Sequence, residues 1–579
     1  MNLRLVLSGL MLIILSTQNT YAQIDAKVDV LGLDSVLEQN VRLFLSIEQQ
    51  KNSEFISEGR LKRLHKKAPE EISKALQPYG FYRSSVSSEL NLNKDKSWHA
   101  IYRVTVGKPI PVGIYELKVD ESISQNKDFS ELIASFSLKK GSTFNHLEYE
   151  KFKADLARLA AEQGYFKAQF RQHRVEVDLT HYQANIYLNF EGGTRYNFGD
   201  VVFSQYLLDE GLLRRYASFK KGDPYSVNAL IALQQALNDA DYFSKVEVSP
   251  GTPDTESHVI PVDVLLKPRK KHRISVGLGY GTDTGERAKL DWQLPRYNTK
   301  GHKINTQTSV SKIGYSLGAQ YSLPILNPRT DQLIYSAGIV NEKTDTSEST
   351  VDSVGISLKH GRGKWRENIS LNYQLEDYIV AESEGKTALL MPGINWSRIW
   401  GERWLIVFDG MRLDLGFRFA RKDFFSDVDF SQVNGQIKSI HRLNQKNRFI
   451  LRGKLGRIYT GEFEDLPSSI RFFAGGAQSV RGYRYQSLGP VDDNGDVIGG
   501  QYLVEGSAEY EYSFNQSWGV ALFVDAGNAI EHLDDELKQG VGFGMRWNSP
   551  IGPVRIDLAS ALSIDGNPWR LHINIGPDL

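Results

Sequence analysis

Gln501-Tyr502-Leu503-Val504-Glu505-Gly506-Ser507-Ala508-Glu509-Tyr510-Glu511-Tyr512 repeats with a period of two. Tyr502, Val504, Ala508, Tyr510 and Tyr512 fall on one side; Glu505, Ser507, Glu509 and Glu511 fall on the other. Side chains alternate across a strand, so the stretch specifies one apolar face and one charged face. A transmembrane barrel turns such charges inward, and a soluble sandwich turns them outward. Alternation alone leaves both open.

The pattern recurs outward from this stretch. In His272 to Gly281, Ile274, Val276, Leu278 and Tyr280 oppose Arg273, Ser275, Gly277, Gly279 and Gly281. In Trp569 to Gly576, Leu571, Ile573 and Ile575 oppose Arg570, His572 and Asn574. Strand starts fall near 272, 286, 303, 315, 330, 352, 366, 386, 407, 432, 446, 501, 517, 539, 552 and 569. Sixteen strands over this region receive ~19 residues each with their connections, a spacing suited to a membrane barrel. An even count puts both ends of the barrel on the side of the N-terminal region. The connection from about Tyr459 to Gly500 then faces the opposite side. It is far longer than a hairpin needs, and loops of this length are functional or disordered.

Composition narrows the field. The 579 residues carry 69 Lys plus Arg against 69 Asp plus Glu, a balance that argues against nucleic acid as a partner. With 41% apolar and 11% aromatic residues the chain has ample core and is not disordered. No cysteine is present, which excludes a disulfide scaffold and a Cys-ligated metal. Residues 1–22 read as a secretory signal peptide: Arg4, the apolar run Leu5 to Leu15, and small residues at Thr20 and Ala22. That run is the longest apolar one and too short for a membrane-spanning helix.

A threefold repeat fills the region before the barrel. Tyr79-Gly80-Phe81-Tyr82, Gln163-Gly164-Tyr165-Phe166 and Ala240-Asp241-Tyr242-Phe243 each follow a helical stretch. The helical stripes are Leu61, Leu64, Ala68, Ile72 and Leu76; Phe152, Leu156 and Leu159; and Leu230, Leu233 and Leu237. Each unit opens on a strand (Ala26 to Leu31, Ile114 to Val119, Asp200 to Phe203) and closes on another (Trp98 to Val106, Ala184 to Phe190, His258 to Leu266). The order resembles the POTRA module, a small periplasmic α/β domain that binds proteins, in some cases by strand addition. The expected boundaries are 23–106, 107–194 and 195–267, with the barrel over 268–579. The repeated aromatics read as core residues closing helix onto sheet. The basic run Lys267, Arg269, Lys270, Lys271 and Arg273 reads as a solvated hinge.

The long loop carries Arg471-Phe472-Phe473-Ala474-Gly475-Gly476 and Val480-Arg481-Gly482-Tyr483, and the thirteenth strand reads Phe523-Val524-Asp525-Ala526-Gly527. These resemble the VRG(F/Y) and FxDxG motifs of the BamA/TamA outer-membrane assembly superfamily, in the same order. The resemblance implies a loop six folded back into the lumen, with Arg481 paired to Asp525. Three modules, Arg471 to Tyr485, and the ending Ile575-Gly576-Pro577-Asp578-Leu579 resemble the TamA branch of that superfamily. The function implied by the resemblance is insertion or secretion of autotransporters and other outer-membrane proteins. The implied partners are a TamB-like inner-membrane-anchored protein docked on the first module, unfolded clients, and outer-membrane lipids. The working part would be a lateral seam formed by Val276, Gly277, Gly279, Gly281, Leu571, Ile573 and Ile575. The glycines either weaken that seam or relieve crowding in the lumen.

Enzyme readings find little support. Gly314-Tyr315-Ser316-Leu317-Gly318 matches a nucleophile elbow, but an alternating strand follows it where a helix is required. The 12 histidines show no H-E-x-x-H spacing, and no metal or cofactor is implied. Two functions from different classes stand: an assembly or translocation factor, and a passive conduit for phospholipid or solute. A two-partner secretion transporter is the neighbouring alternative.

Overall fold

The computed structural model describes residues 26–51, 56–94, 97–401, 409–550 and 552–575. The expected leader, residues 1–22, and the terminal Gly576-Pro577-Asp578-Leu579 lie outside the described residues.

One compact unit holds the first two modules. In the first, Ala26–Leu31 runs parallel to Trp98–Thr105, and Ser85–Leu92 pairs antiparallel on the other side. Trp98, Ala100, Tyr102 and Val104 are buried, so the central strand gives one whole face to the helices. Helix Glu58–Leu76 covers that face with Leu61, Ala68, Ile72 and Leu76. Ser57 accepts the Arg60 N–H and caps its start. The stripe runs straight through Pro69, because burial on both sides outweighs the lost backbone bond. The second module repeats the plan. Gln183–Glu191 lies between Val112–Val119 and Gln169–Asp178, under helix His146–Glu162. Phe152 and Leu156 are buried there, and Phe136 stacks on Phe152 at 4.0 Å.

The repeated aromatic turns do more than close a core. Gly80 and Gly164 have φ of +89° and +87°, a conformation that favours glycine. Each turns its carbonyl onto the next part of the chain. Gly80 O accepts the Ile110 N–H at 2.8 Å, and Gly164 O accepts the Tyr196 N–H at 2.9 Å. A Cβ on Gly80 would meet Phe144 O at 2.3 Å. These turns are joints as well as core.

A third sheet has the same order: Val259–Pro268 sits between Asn197–Ser204 and Phe243–Pro250. Its turn receives the barrel itself. Tyr242 Oη donates to Gly301 O at 2.7 Å, and Lys303 Nζ donates to Ala240 O at 2.7 Å. Asp241 pairs with Arg269 at 2.9 Å and lies 3.7 Å from Arg273. Two members of the basic run are therefore ion-paired rather than merely solvated.

Sixteen antiparallel strands, from Arg273–Gly281 to Trp569–Ile575, close into a barrel. The thirteenth, Trp518–Ile530, shows why. Val520, Leu522 and Val524 are exposed on its outer face, while Ala521, Phe523 and Asp525 are buried within. Trp518 stacks on Trp547 at 5.2 Å, and Trp365 meets Trp400 at 6.2 Å. All four sit at strand ends on the side of the third module, as an interfacial aromatic belt requires. Gly314 to Gly318 lies in the strand Gly314–Pro324. The sixteen-stranded barrel behind three small α/β modules agrees with the architecture read from the sequence, and it places the chain in the outer membrane with its modules in the periplasm.

Candidate functional site: the lumen loop and the seam

The loop between strands Asn447–Tyr459 and Tyr502–Ser513 is pinned at two places. It has its own framework, with Phe472 bridged to Gly500, Ala474 to Leu488 and Val491 to Val497. Arg471, nearly buried, ties its two arms by donating to Leu466 O, Ile498 O and Glu464 O at 2.8, 2.9 and 2.7 Å.

The first pin is Glu376 on the seventh strand, Trp365–Val380. Its fully buried carboxylate accepts from Ser468 Oγ at 2.9 Å, the Ser469 N–H at 3.1 Å and Gln374 Nε2 at 2.7 Å. Gln432 Nε2 donates to Ile470 O at 2.8 Å. Leu466 and Ile470 fill an apolar cluster with Leu389, Met391, Val428, Phe430 and Ile458. A buried carboxylate is costly unless every oxygen is bonded, and here both oxygens are bonded, with the loop supplying most of the donors.

The second pin is Arg481. Its side chain is 2% exposed and that of Asp525 is 0%. Nε and Nη2 of Arg481 donate to the two Asp525 oxygens at 2.7 and 2.9 Å, a bidentate pair. The Arg481 N–H adds a third bond to Asp525 at 3.1 Å, and Nη1 donates to Glu509 at 2.7 Å. Arg546 completes the cluster, donating to Glu509 at 2.6 Å, Glu511 at 3.0 Å and Asp557 at 2.5 Å. Strands twelve to fifteen are thereby stitched to the loop through alternating charges. Phe523 lies beneath the guanidinium, 3.3 Å from ring centre to Cζ. Val480 and Tyr483 are buried with Ala474, Leu488 and Ala561, and Tyr483 Oη donates to Gln539 O at 3.2 Å. Gly482 has φ +100° and packs against the backbone of Ser560 and Ala561. Gly527 is where strand twelve approaches: a Cβ would meet Val504 O at 2.6 Å.

The seam differs from every other joint in the wall. Among the described residues the first and last strands register only Tyr280 with Ile575 and Gly281 with Asn574. Three further bonds extend it: the Thr282 N–H donates to Ile573 O at 3.0 Å, the Ile573 N–H donates to Thr282 Oγ1 at 3.3 Å, and Arg287 Nη2 donates to Asn574 Oδ1 at 2.6 Å. Gly279 lies against the joint, since a Cβ there would meet Ile575 O at 2.7 Å. Among the described residues Val276 and Gly277 have no cross-seam partner, and Leu571 pairs with Leu558 of the fifteenth strand. Ile274, Val276 and Leu278 are 65%, 70% and 75% exposed, so the first strand presents an apolar surface beside the joint.

Several members of the site escaped the sequence reading. Glu509 and Glu511 were visible as inward-facing charges, but their arginine, Arg546, and the shared Asp557 come from later strands. Glu376 stood in an unremarked strand. A cavity of about 1200 Å³ lies in the lumen, walled by Lys303, Lys359, Arg366, Asp414 and Lys454 and bounded by Phe472 of the loop. Among the described residues no group of His, Cys, Asp and Glu is arranged to hold a metal ion.

Residues 405–578 match the Omp85 superfamily domain, residues 27–106 match the POTRA domain TamA domain 1, and residues 196–269 match the surface antigen variable number repeat. The chain is similar to the outer membrane protein assembly factor BamA of Nitratidesulfovibrio vulgaris, at 25% identity over 384 residues, covering 63% of this chain and 48% of that one. It is similar to BamA of Neorickettsia risticii at 22% identity over 489 residues, covering 75% and 62%. The chain thus spans roughly half of the curated relatives it matches. The crystal structure of BamA from Haemophilus ducreyi lacking POTRA domains 1–3 aligns with a TM-score of 0.64 at 17% identity, covering 80% of this chain and 99% of that one. That likeness establishes the shared fold.

Proposed function

We propose that the chain works as an Omp85-superfamily protein of the outer membrane, with its modules in the periplasm, and promotes insertion or secretion of autotransporters and other outer-membrane proteins through its lateral seam. The observation that carries this reading is the ladder at Tyr280–Ile575 and Gly281–Asn574, the two pairs that join the first and last strands among the described residues, beside the exposed apolar side chains Ile274, Val276 and Leu278. An edge strand is a template for a client strand, which brings its own hydrogen bonds and apolar face. Each ladder bond given up on opening the joint is worth ~1 kcal/mol net, and a client strand replaces it. The match of residues 27–106 to the first TamA module supports the TamA branch, with a TamB-like partner docked on that module.

The lumen cavity favours a second reading, a conduit for phospholipid or solute whose modules merely seat a partner. Cysteines at Tyr280 and Ile575 separate the two, since the native chain has none. Oxidation should stop outer-membrane assembly of an autotransporter, and reduction should restore it. Normal assembly with the seam locked would leave the conduit as the working account.

A further inference from the structure

We propose that loop six is the inner clasp of the seam, gripping Asp283 on one side and His572 on the other. The proposal rests on the gating reading above and adds how the gate is held. Asp283 belongs to the turn joining the first and second strands, and its Oδ2 accepts the Ala477 N–H at 2.7 Å. His572 belongs to the last strand, and its Nε2 accepts the Gly482 N–H at 3.0 Å. Two backbone donors a few residues apart in one loop therefore hold opposite sides of a joint whose ladder registers two pairs among the described residues.

The chemistry of His572 strengthens the assignment. Its side chain is 2% exposed. An acceptor at Nε2 places the ring proton on Nδ1. Nδ1 is buried without a hydrogen-bond partner and lies 3.8 Å from Asp283 Oδ1. A buried donor left unpaired is costly, and a displacement of about 1 Å toward Asp283 would pair it and link the two strands directly. Arg481, one residue before Gly482, is fixed to strands twelve, thirteen and fifteen through Glu509, Asp525 and Asp557. It serves as the anchored end. Ala477 and Gly482 are the gripping end. Withdrawal of the gripping end leaves the described seam with its two-pair ladder, the Thr282–Ile573 bonds and the Arg287–Asn574 bond.

The test uses the full chain in outer membranes, with the Tyr280→Cys/Ile575→Cys pair as reporter of a closed seam. A second reporter, Leu358→Cys/Ile369→Cys, spans registered partners on strands six and seven. His572→Leu and Asp283→Ala should each slow seam crosslinking by about fivefold or more, the effect of one lost hydrogen bond. His572→Gln, which keeps an acceptor for Gly482, should stay within about twofold of the parent. The wall reporter should not change. Unchanged seam crosslinking in both His572→Leu and Asp283→Ala overturns the clasp, and so does an equal loss at the wall reporter. Asp283→Ala gives the result independently if His572→Leu does not fold. No client is present in this assay. A locked barrel that still assembles client would defeat the gating reading without touching this measurement.

Discussion

Strands six and seven pair without a break from Ser347 opposite Val380 to Arg362 opposite Trp365, whereas the first and last strands register only at Tyr280–Ile575 and Gly281–Asn574 among the described residues. Both joints use the same backbone chemistry. The difference is where the remaining cohesion comes from. The wall holds through its ladder and its lipid-facing side chains. The seam borrows its cohesion from a loop that is itself anchored elsewhere. A joint held by a removable part is one that a protein is able to open.

Locks at the two joints should divide most sharply. A Tyr280–Ile575 disulfide should abolish client assembly, while a Leu358–Ile369 disulfide should leave it unchanged, read as surface-exposed autotransporter in the same cells. Equal effects would erase the distinction. The next largest effect belongs to Arg481. Arg481→Ala leaves Asp525 buried and uncompensated and should cost ~3–5 kcal/mol of stability, measured by urea unfolding of the full barrel. Adding Asp525→Ala should cost less than the sum of the two single changes, because the second removes the stranded charge.

Glu376→Ala removes the acceptor for Ser468, Ser469 and Gln374 and should cost about 1–3 kcal/mol by the same assay. It should loosen the loop's base without changing seam crosslinking, because that pin lies on the seventh strand. Gly279→Val puts a side chain against Ile575 O and should weaken the seam by about 1 kcal/mol, read as slower Tyr280–Ile575 crosslinking.

The smallest effect concerns the modules. Burial pushes the Glu71 carboxyl up, but its bonds to Ser46 Oγ and N–H and its pairing with Lys67 outweigh this, and its pKa is lowered. A depressed carboxylate stabilises above its unfolded value of 4.5, and that stabilisation is lost as the pH falls through the folded value. Amide-exchange protection factors in helix Glu58–Leu76 of the full chain should therefore fall below pH 4.5, and Glu71→Gln should flatten that dependence.

Legibility tracked the range of the interaction. Helix stripes such as Leu61, Ala68, Ile72 and Leu76 are local, and each of the three stripes falls inside a helix: Glu58–Leu76, His146–Glu162 and Val227–Asp239. The strands of the barrel were legible for the same reason: a period of two needs no partner to be seen. The joints between modules were not. Gly80 and Gly164 read as parts of a core turn, because nothing local tells that their carbonyls will meet Ile110 and Tyr196. The motif residues Arg481 and Asp525 stood out only through a resemblance; their neighbours Arg546, Asp557 and His572 carry no such mark.

The sequence by itself determined the alternation, the helix stripes, the strand count and the presence of one overlong loop, because each arises from side-chain periodicity along a few residues. The tertiary structure decided which described residues of the first and last strands meet, which carboxylates share which arginine, and that residues 477 and 482 of the loop meet opposite sides of the seam. Those facts depend on register and on closure of a sixteen-stranded ring. A shift of one residue in either would bring different side chains together while leaving every local pattern intact.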